Sequence, residues 1–132
     1  MKQAIAVTTL FLALSLAACR GEEEPAVCNS SSDLKASVED VKKIDVGSGT
    51  ALADLKSAIK AIQSDLTAVQ KDAKSEYSDQ LNAVETAFAA LKTSVQTAAA
   101  STSADTLATA GAAISAFGTA VEALVNDVKE TC

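Results

Sequence analysis

Residues 51–70 read ALADLKSAIKAIQSDLTAVQ. Within them Leu52, Leu55, Ile59, Ile62, Leu66 and Val69 fall alternately three and four residues apart. That is the a/d spacing of a heptad seam. Asp54, Lys56, Lys60, Asp65 and Lys71 occupy the remaining faces. The spacing predicts a long amphipathic helix that buries one stripe against neighbours, and it sets the expected fold class as all-α.

Downstream the pattern slips. Val69, Ala73, Tyr77 and Leu81 are each four apart, and then Val84, Phe88, Leu91, Val95 and Ala98 resume the alternation. A four-residue stutter inside one helix gives this pattern. A turn between Lys74 and Asp79, capped by Ser75 or Ser78, gives it equally. No Gly or Pro forces a break here, so propensity leans towards a bend or a continuous helix. Ser101, Thr102 and Ser103 then supply turn and cap residues. A last helix carries Leu107, Gly111, Ile114, Phe117 or Gly118, Val121, Leu124 or Val125, and Val128. Gly111 and Gly118 lie on one face and admit a close neighbour. Glu122, Asp127, Lys129 and Glu130 argue against reading that face as a dimer seam inside a membrane.

Upstream, Asn29-Ser30-Ser31-Ser32-Asp33 offers N-cap residues. Leu34, Val38, Val41 and Ile44 follow at helical spacing, up to a turn at Val46-Gly47-Ser48-Gly49-Thr50. The expected architecture is an up-down antiparallel helical bundle of three to four helical segments over residues 31–132. Its packing is coiled-coil-like and Ala-rich.

The first residues have another character. Met1-Lys2 is a short positive start, and Ala4 to Ala18 is an uncharged, mostly apolar run. At about 15 residues the run is shorter than the roughly 20 that span a bilayer, which points to a cleaved signal peptide over residues 1–18. Leu16-Ala17-Ala18-Cys19 closes it. This element resembles the lipobox of bacterial lipoproteins. The resemblance covers the first 19 residues alone and implies acylation of the Cys19 thiol, cleavage before Cys19 and anchoring to a bacterial membrane. Two or three acyl chains hold firmly where one binds only marginally. Arg20, where enteric lipoproteins retained in the inner membrane often carry Asp, fits outer-membrane sorting by the same resemblance. Residues 19–30, with Gly21, Glu22-Glu23-Glu24 and Pro25, read as an acidic tether. From Cys19 to Cys28 it spans at most about 30 Å.

The cysteines add a second constraint. With Cys19 lipidated, Cys28 and Cys132 remain, and an even pair in an exported chain reads as a disulfide. The turns test that pairing. A chain folded back near residue 48 and again near residue 102 brings both cysteines to the same height, at the tether end of the bundle.

Composition narrows the function. The chain has 132 residues and a net charge of −6; removing residues 1–18, which carry one Lys and no acid, makes it −7. Such acidity disfavours nucleic acid, whose phosphates need Lys and Arg. There is no His, which removes the commonest general base and metal ligand. Gly47-Ser48-Gly49 lacks the Lys of a phosphate loop. Glu39-Asp40 beside Lys42-Lys43 reads as a solvated helix face. Neither an enzyme, a metal site nor a cofactor is expected. The expected function is that of a lipid-anchored cell-envelope lipoprotein, facing the periplasm or cell exterior. Its bundle engages an envelope protein, self-associates or plays a structural part. Murein lipoproteins share the anchor and the Ala-rich habit, but the closing Lys that attaches them to the wall is replaced here by Cys132. The alternative is a small-ligand-binding or sensor-type bundle; a thiol exchanger using Cys28 and Cys132 is a third reading.

Overall fold

The structure is a computed structural model and describes residues 25–73 and 75–132. The signal peptide, Cys19 and the tether up to Glu24 lie outside the described residues. Four helices follow in order: α1 (Ala26–Lys42), α2 (Ala51–Asp72), α3 (Ser78–Ala100) and α4 (Ala104–Lys129). Each packs against its sequence neighbour, and α4 returns to lie against α1, closing an up-down four-helix bundle. The seams point inward. Leu34, Val38 and Val41 of α1, Leu55, Ile62, Leu66 and Val69 of α2, and Val84, Phe88, Leu91 and Val95 of α3 are buried. Facing them, α4 buries Ile114, Phe117, Val121, Leu124 and Val128. The Phe88 and Phe117 rings meet at 5.7 Å, tilted by 46°, a separation typical of attractive aromatic pairs.

Two boundaries differ from the sequence expectation. The first concerns α1, which starts at Ala26 behind Pro25 rather than at the serine cluster. Residues 26–30 thus belong to the bundle and not to the tether. The serines do not cap. Ser30 donates to Val27 O at 3.3 Å, Ser31 to Cys28 O at 3.1 Å and Ser32 to Cys28 O at 2.9 Å. Bonded back to the preceding turn, these hydroxyls are satisfied inside a helix, and Ser30 and Ser31 are buried. Val27 and Cys28 are buried too, so α1 enters the core from its first turn.

The second difference is the slip after Val69, which is a turn and not a continuous helix. α2 stops at Asp72, Ala73 is extended (φ −75°, ψ 137°), and Ser75–Tyr77 form one 3-10 turn before α3. Tertiary contact makes this break without Gly or Pro. Tyr77 is buried, and its hydroxyl lies 2.8 Å from Thr131 Oγ1. Thr131 gives its own proton to Val128 O, so Tyr77 is the donor. A continuous helix would carry Tyr77 away from the end of α4.

The other two turns lie at the opposite end. Asp45 Oδ1 accepts from Gly47 N at 2.9 Å between α1 and α2, a side-chain turn that ends α1 early. Between α3 and α4, Ser103 is the N-cap expected of that cluster. Ser103 and Thr106 form a reciprocal capping box. Of the two glycines on α4, Gly118 lies beneath Lys42, where an added Cβ would sit 2.5 Å from Lys42 Cε. Gly111 has open space around its Cα instead, because α1 ends before reaching it.

Cys28 and Cys132 are joined, with Cα atoms 6.1 Å apart and a sequence separation of 104. The bridge, the Ala73–Tyr77 turn and Pro25 share one end of the bundle. In the chain-entropy description a loop of about 100 residues is worth about 4.7 kcal/mol, and native disulfides of small domains measure about 2–5 kcal/mol. Cys28→Ser should therefore lower the melting temperature of the helical domain by at least about 10 °C in a thermal scan followed by circular dichroism. An unchanged melting temperature would remove the bridge from the stability account.

Candidate functional site

Adjacent helices are not closed to the same extent. Each neighbouring pair carries one polar link between side chains. Ser37 of α1 donates to Asp65 of α2. Lys42 of α1 pairs with Glu122 of α4 at 3.4 Å, and Gln80 of α3 donates to Asp127 of α4. The α2–α3 link, Gln70 to Glu85, lies beside the turn that joins those helices. Beyond it α2 and α3 diverge towards the far end and leave a groove.

The seam records this divergence. Leu55, Ile62, Leu66 and Val69 are buried as the heptad spacing requires, but Leu52 and Ile59 are only half-buried. Ile59 stands on the α3-facing edge of the stripe, where it lines the space that α3 leaves uncovered. The widest part of the groove is a concavity of about 550 Å³ lined by Ile59, Val95, Ala99 and Ala100 with Lys56, Lys60, Lys92 and Gln96. A smaller stretch of about 250 Å³ continues it past Leu66 and Phe88 to Gln70 and Glu85. Lys92 belongs to both stretches. Its ammonium stands 5.8 Å from the centre of the Phe88 ring, within the range of a cation–π attraction.

The electrostatics of the groove oppose those of the whole chain. Three lysines border the wide stretch, and no acid lines it. Among the described residues the ion pairs are Lys42–Glu122 and Lys43–Asp40, both largely exposed; Lys56, Lys60 and Lys92 have none. An otherwise acidic molecule thus holds a strip of uncompensated positive charge over an apolar floor. The apolar stems of the lysines extend that floor while their heads stay in water.

The remaining surface offers less. Between Lys92 and Glu122 the only charged residue is Asp105, so the outer face of the last part of α3 and of α4 up to Glu122 is mostly Ala, Ser and Thr. Its hydroxyls are self-satisfied: Thr93, Thr97, Thr109 and Thr119 each donate to the carbonyl four residues earlier. α4 is the one helix among the described residues long and apolar enough to cross a membrane. It spends its apolar face on the bundle core.

Of the residues singled out in the sequence, Cys28 and Cys132 are brought together at the tether end, far along the helices from the wide groove. Cys28 is buried and Cys132 exposed. Cys19 lies outside the described residues. Among those residues no group of three or more His, Cys, Asp or Glu is arranged to hold a metal ion. The groove itself went unread in the sequence. Its signal is that Lys56 and Lys60 flank Ile59, so that the α3-facing edge of the seam is charged. Comparison with known protein families, with curated proteins and with solved structures gives no match for this chain.

The divergence of α2 from α3 separates two isoleucines of identical chemistry. Ile62→Ala should cost about 2–5 kcal/mol in urea unfolding, the usual range for a buried isoleucine. Ile59→Ala should cost less than about 1.5 kcal/mol, because water already reaches it. Equal losses would mean that α3 covers both.

Proposed function

We propose that the protein is a lipid-anchored cell-envelope lipoprotein whose helical bundle binds a protein partner without catalysing a reaction. The observation that carries the binding part is the lysine-bordered groove between α2 and α3, the two neighbouring helices that pack least closely against each other. Helix grooves of this kind are a recurring mode of peptide recognition. The anchoring part rests on the Leu16-Ala17-Ala18-Cys19 element and the uncharged run before it.

The two parts are compatible in space. Pro25 and the disulfide sit at one end of the bundle, with the turns at residues 43–50 and 101–103 at the other. Five residues separate Cys19 from Pro25, a reach of at most about 20 Å. Acyl chains on Cys19 would therefore hold the disulfide end close to the lipid and present the wide end of the groove away from it. Reading the groove as a small-molecule site is less apt. Ligand pockets bury some 70–90% of a drug-sized molecule, whereas this trough is open along its length. The thiol-exchange reading makes no use of the groove, and its bridge ties the buried first turn of α1 to the end of the chain, as a structural disulfide does.

Cys19→Ala tests the anchor. In a diderm or monoderm bacterial host the wild-type protein should partition with membranes and incorporate a clickable palmitate analogue. The variant should lose the label and either leave the membrane fraction or keep its signal uncut. Its purified bundle should melt at the wild-type temperature, since the first helix begins at Ala26. Labelling that persists in the variant would contradict the anchor.

A further inference from the structure

The geometry points to the occupant of the α2–α3 groove: an acidic amphipathic helix supplied by another protein. This rests on the reading of the bundle as a protein-interaction module. Three observations converge on it.

The first is charge. The chain as a whole is acidic, at −6, yet Lys56, Lys60 and Lys92 border the wide stretch with no acid among its lining residues. The one acid of the narrow stretch, Glu85, already accepts from Gln70 at the joined end. Carboxylates on a partner would find three ammonium groups without ion-pair partners. Complementary charge of this sort sets partner choice and encounter rate.

Shape is the second. From Lys56 to Gln70 the α2 wall rises along roughly 21 Å, at about 1.5 Å per residue. That is the length of four turns of a fifth helix laid in the trough. Ala89, Ala99 and Ala100 on the α3 wall are small enough to let its backbone approach. Such a helix would place apolar residues at i, i+3 or i+4, and i+7 along the trough, against the partly uncovered Ile59 and the exposed alanines. It would direct Glu or Asp on its flanks to the lysines. A single acyl chain in the same trough would leave much of its surface in water.

Symmetry is the third, and it bears on self-association. Two copies related by a two-fold axis would present the same patch to each other. Groove against groove would bring two lysine-bordered strips together with no acid in either wide stretch to offset them. The acidic partner is therefore a different surface.

The test is site-specific photo-crosslinking of the full-length protein in its own host. A photoreactive residue replaces Gln96, an exposed residue in the groove, or Ala112, an exposed residue on the outer face of α4, as the comparison. Mass spectrometry then identifies what is attached. At position 96 the expected adduct is a peptide of another protein with apolar residues at helical spacing and Glu or Asp beside them. Its yield should fall at least about tenfold in a Lys56→Glu/Lys60→Glu variant and survive in Lys56→Arg/Lys60→Arg, with unchanged melting temperatures in both. A lipid adduct, a peptide from this chain, a peptide without acidic flanks, or insensitivity to charge reversal would overturn the inference. A protein adduct at position 112 with none at 96 would overturn it while leaving the interaction module standing. No protein adduct at either position would remove both.

Discussion

The bundle depends on one joint, the Cys28–Cys132 bridge between the first turn of α1 and a residue just beyond the end of α4. It fixes which helices are neighbours. With the ends of the domain tied, α1 and α4 must lie side by side, and the up-down order of the four helices follows from turns at alternating ends. The bridge also has local company. Val27 and Tyr77 are buried nearby, and Tyr77 reaches Thr131, so the Ala73–Tyr77 turn is held at the same end. In an Ala-rich chain with few aromatics, little apolar area is buried per residue. A covalent closure of a long loop compensates by reducing the freedom of the unfolded chain rather than by adding contacts.

What closes one end leaves freedom at the other. α1 is 17 residues long against 26 for α4, and it stops beside Gly118. α2 and α3 are joined by a short turn at the disulfide end and have no such tie at the far end. Their seam residues keep α2 against α1 and α3 against α4. The pair they form with each other is the loosest in the bundle, and the groove is the consequence. The lysines along that opening suit it: an apolar trough bordered by charge stays soluble while unoccupied and still discriminates among partners.

Much of this was legible in the chain. The heptad spacing of residues 52–69 identifies the buried stripe because helix period and packing geometry leave few other arrangements. Cys28 and Cys132 were readable as a pair because two cysteines remain in a chain read as exported, and both turns bring them to one height. The break after Asp72 was not readable. Ala73 carries no sequence mark of an extended backbone, and the energy that holds the turn comes from burial of Tyr77 against a segment more than 50 residues away. The serine cluster misled for a related reason: the same hydroxyl that caps a helix from outside also bonds back to the preceding turn within one. The groove escaped the sequence because a/d spacing says which side chains face a neighbour. It does not say how far along its length that neighbour stays in contact. Ile59 and Ile62 look alike in the pattern and differ in burial.

The groove exists because α2 diverges from α3. Pulsed electron–electron double resonance can measure this with one spin-label pair at Lys60 and Gln96 across the wide stretch and another at Gln70 and Glu85 near the joined end. The mean separation should be longer for the first pair than for the second, in the unbound bundle with its disulfide intact. Equal separations would show α2 and α3 packed in parallel along their whole length, and the groove, with the binding function built on it, would fall.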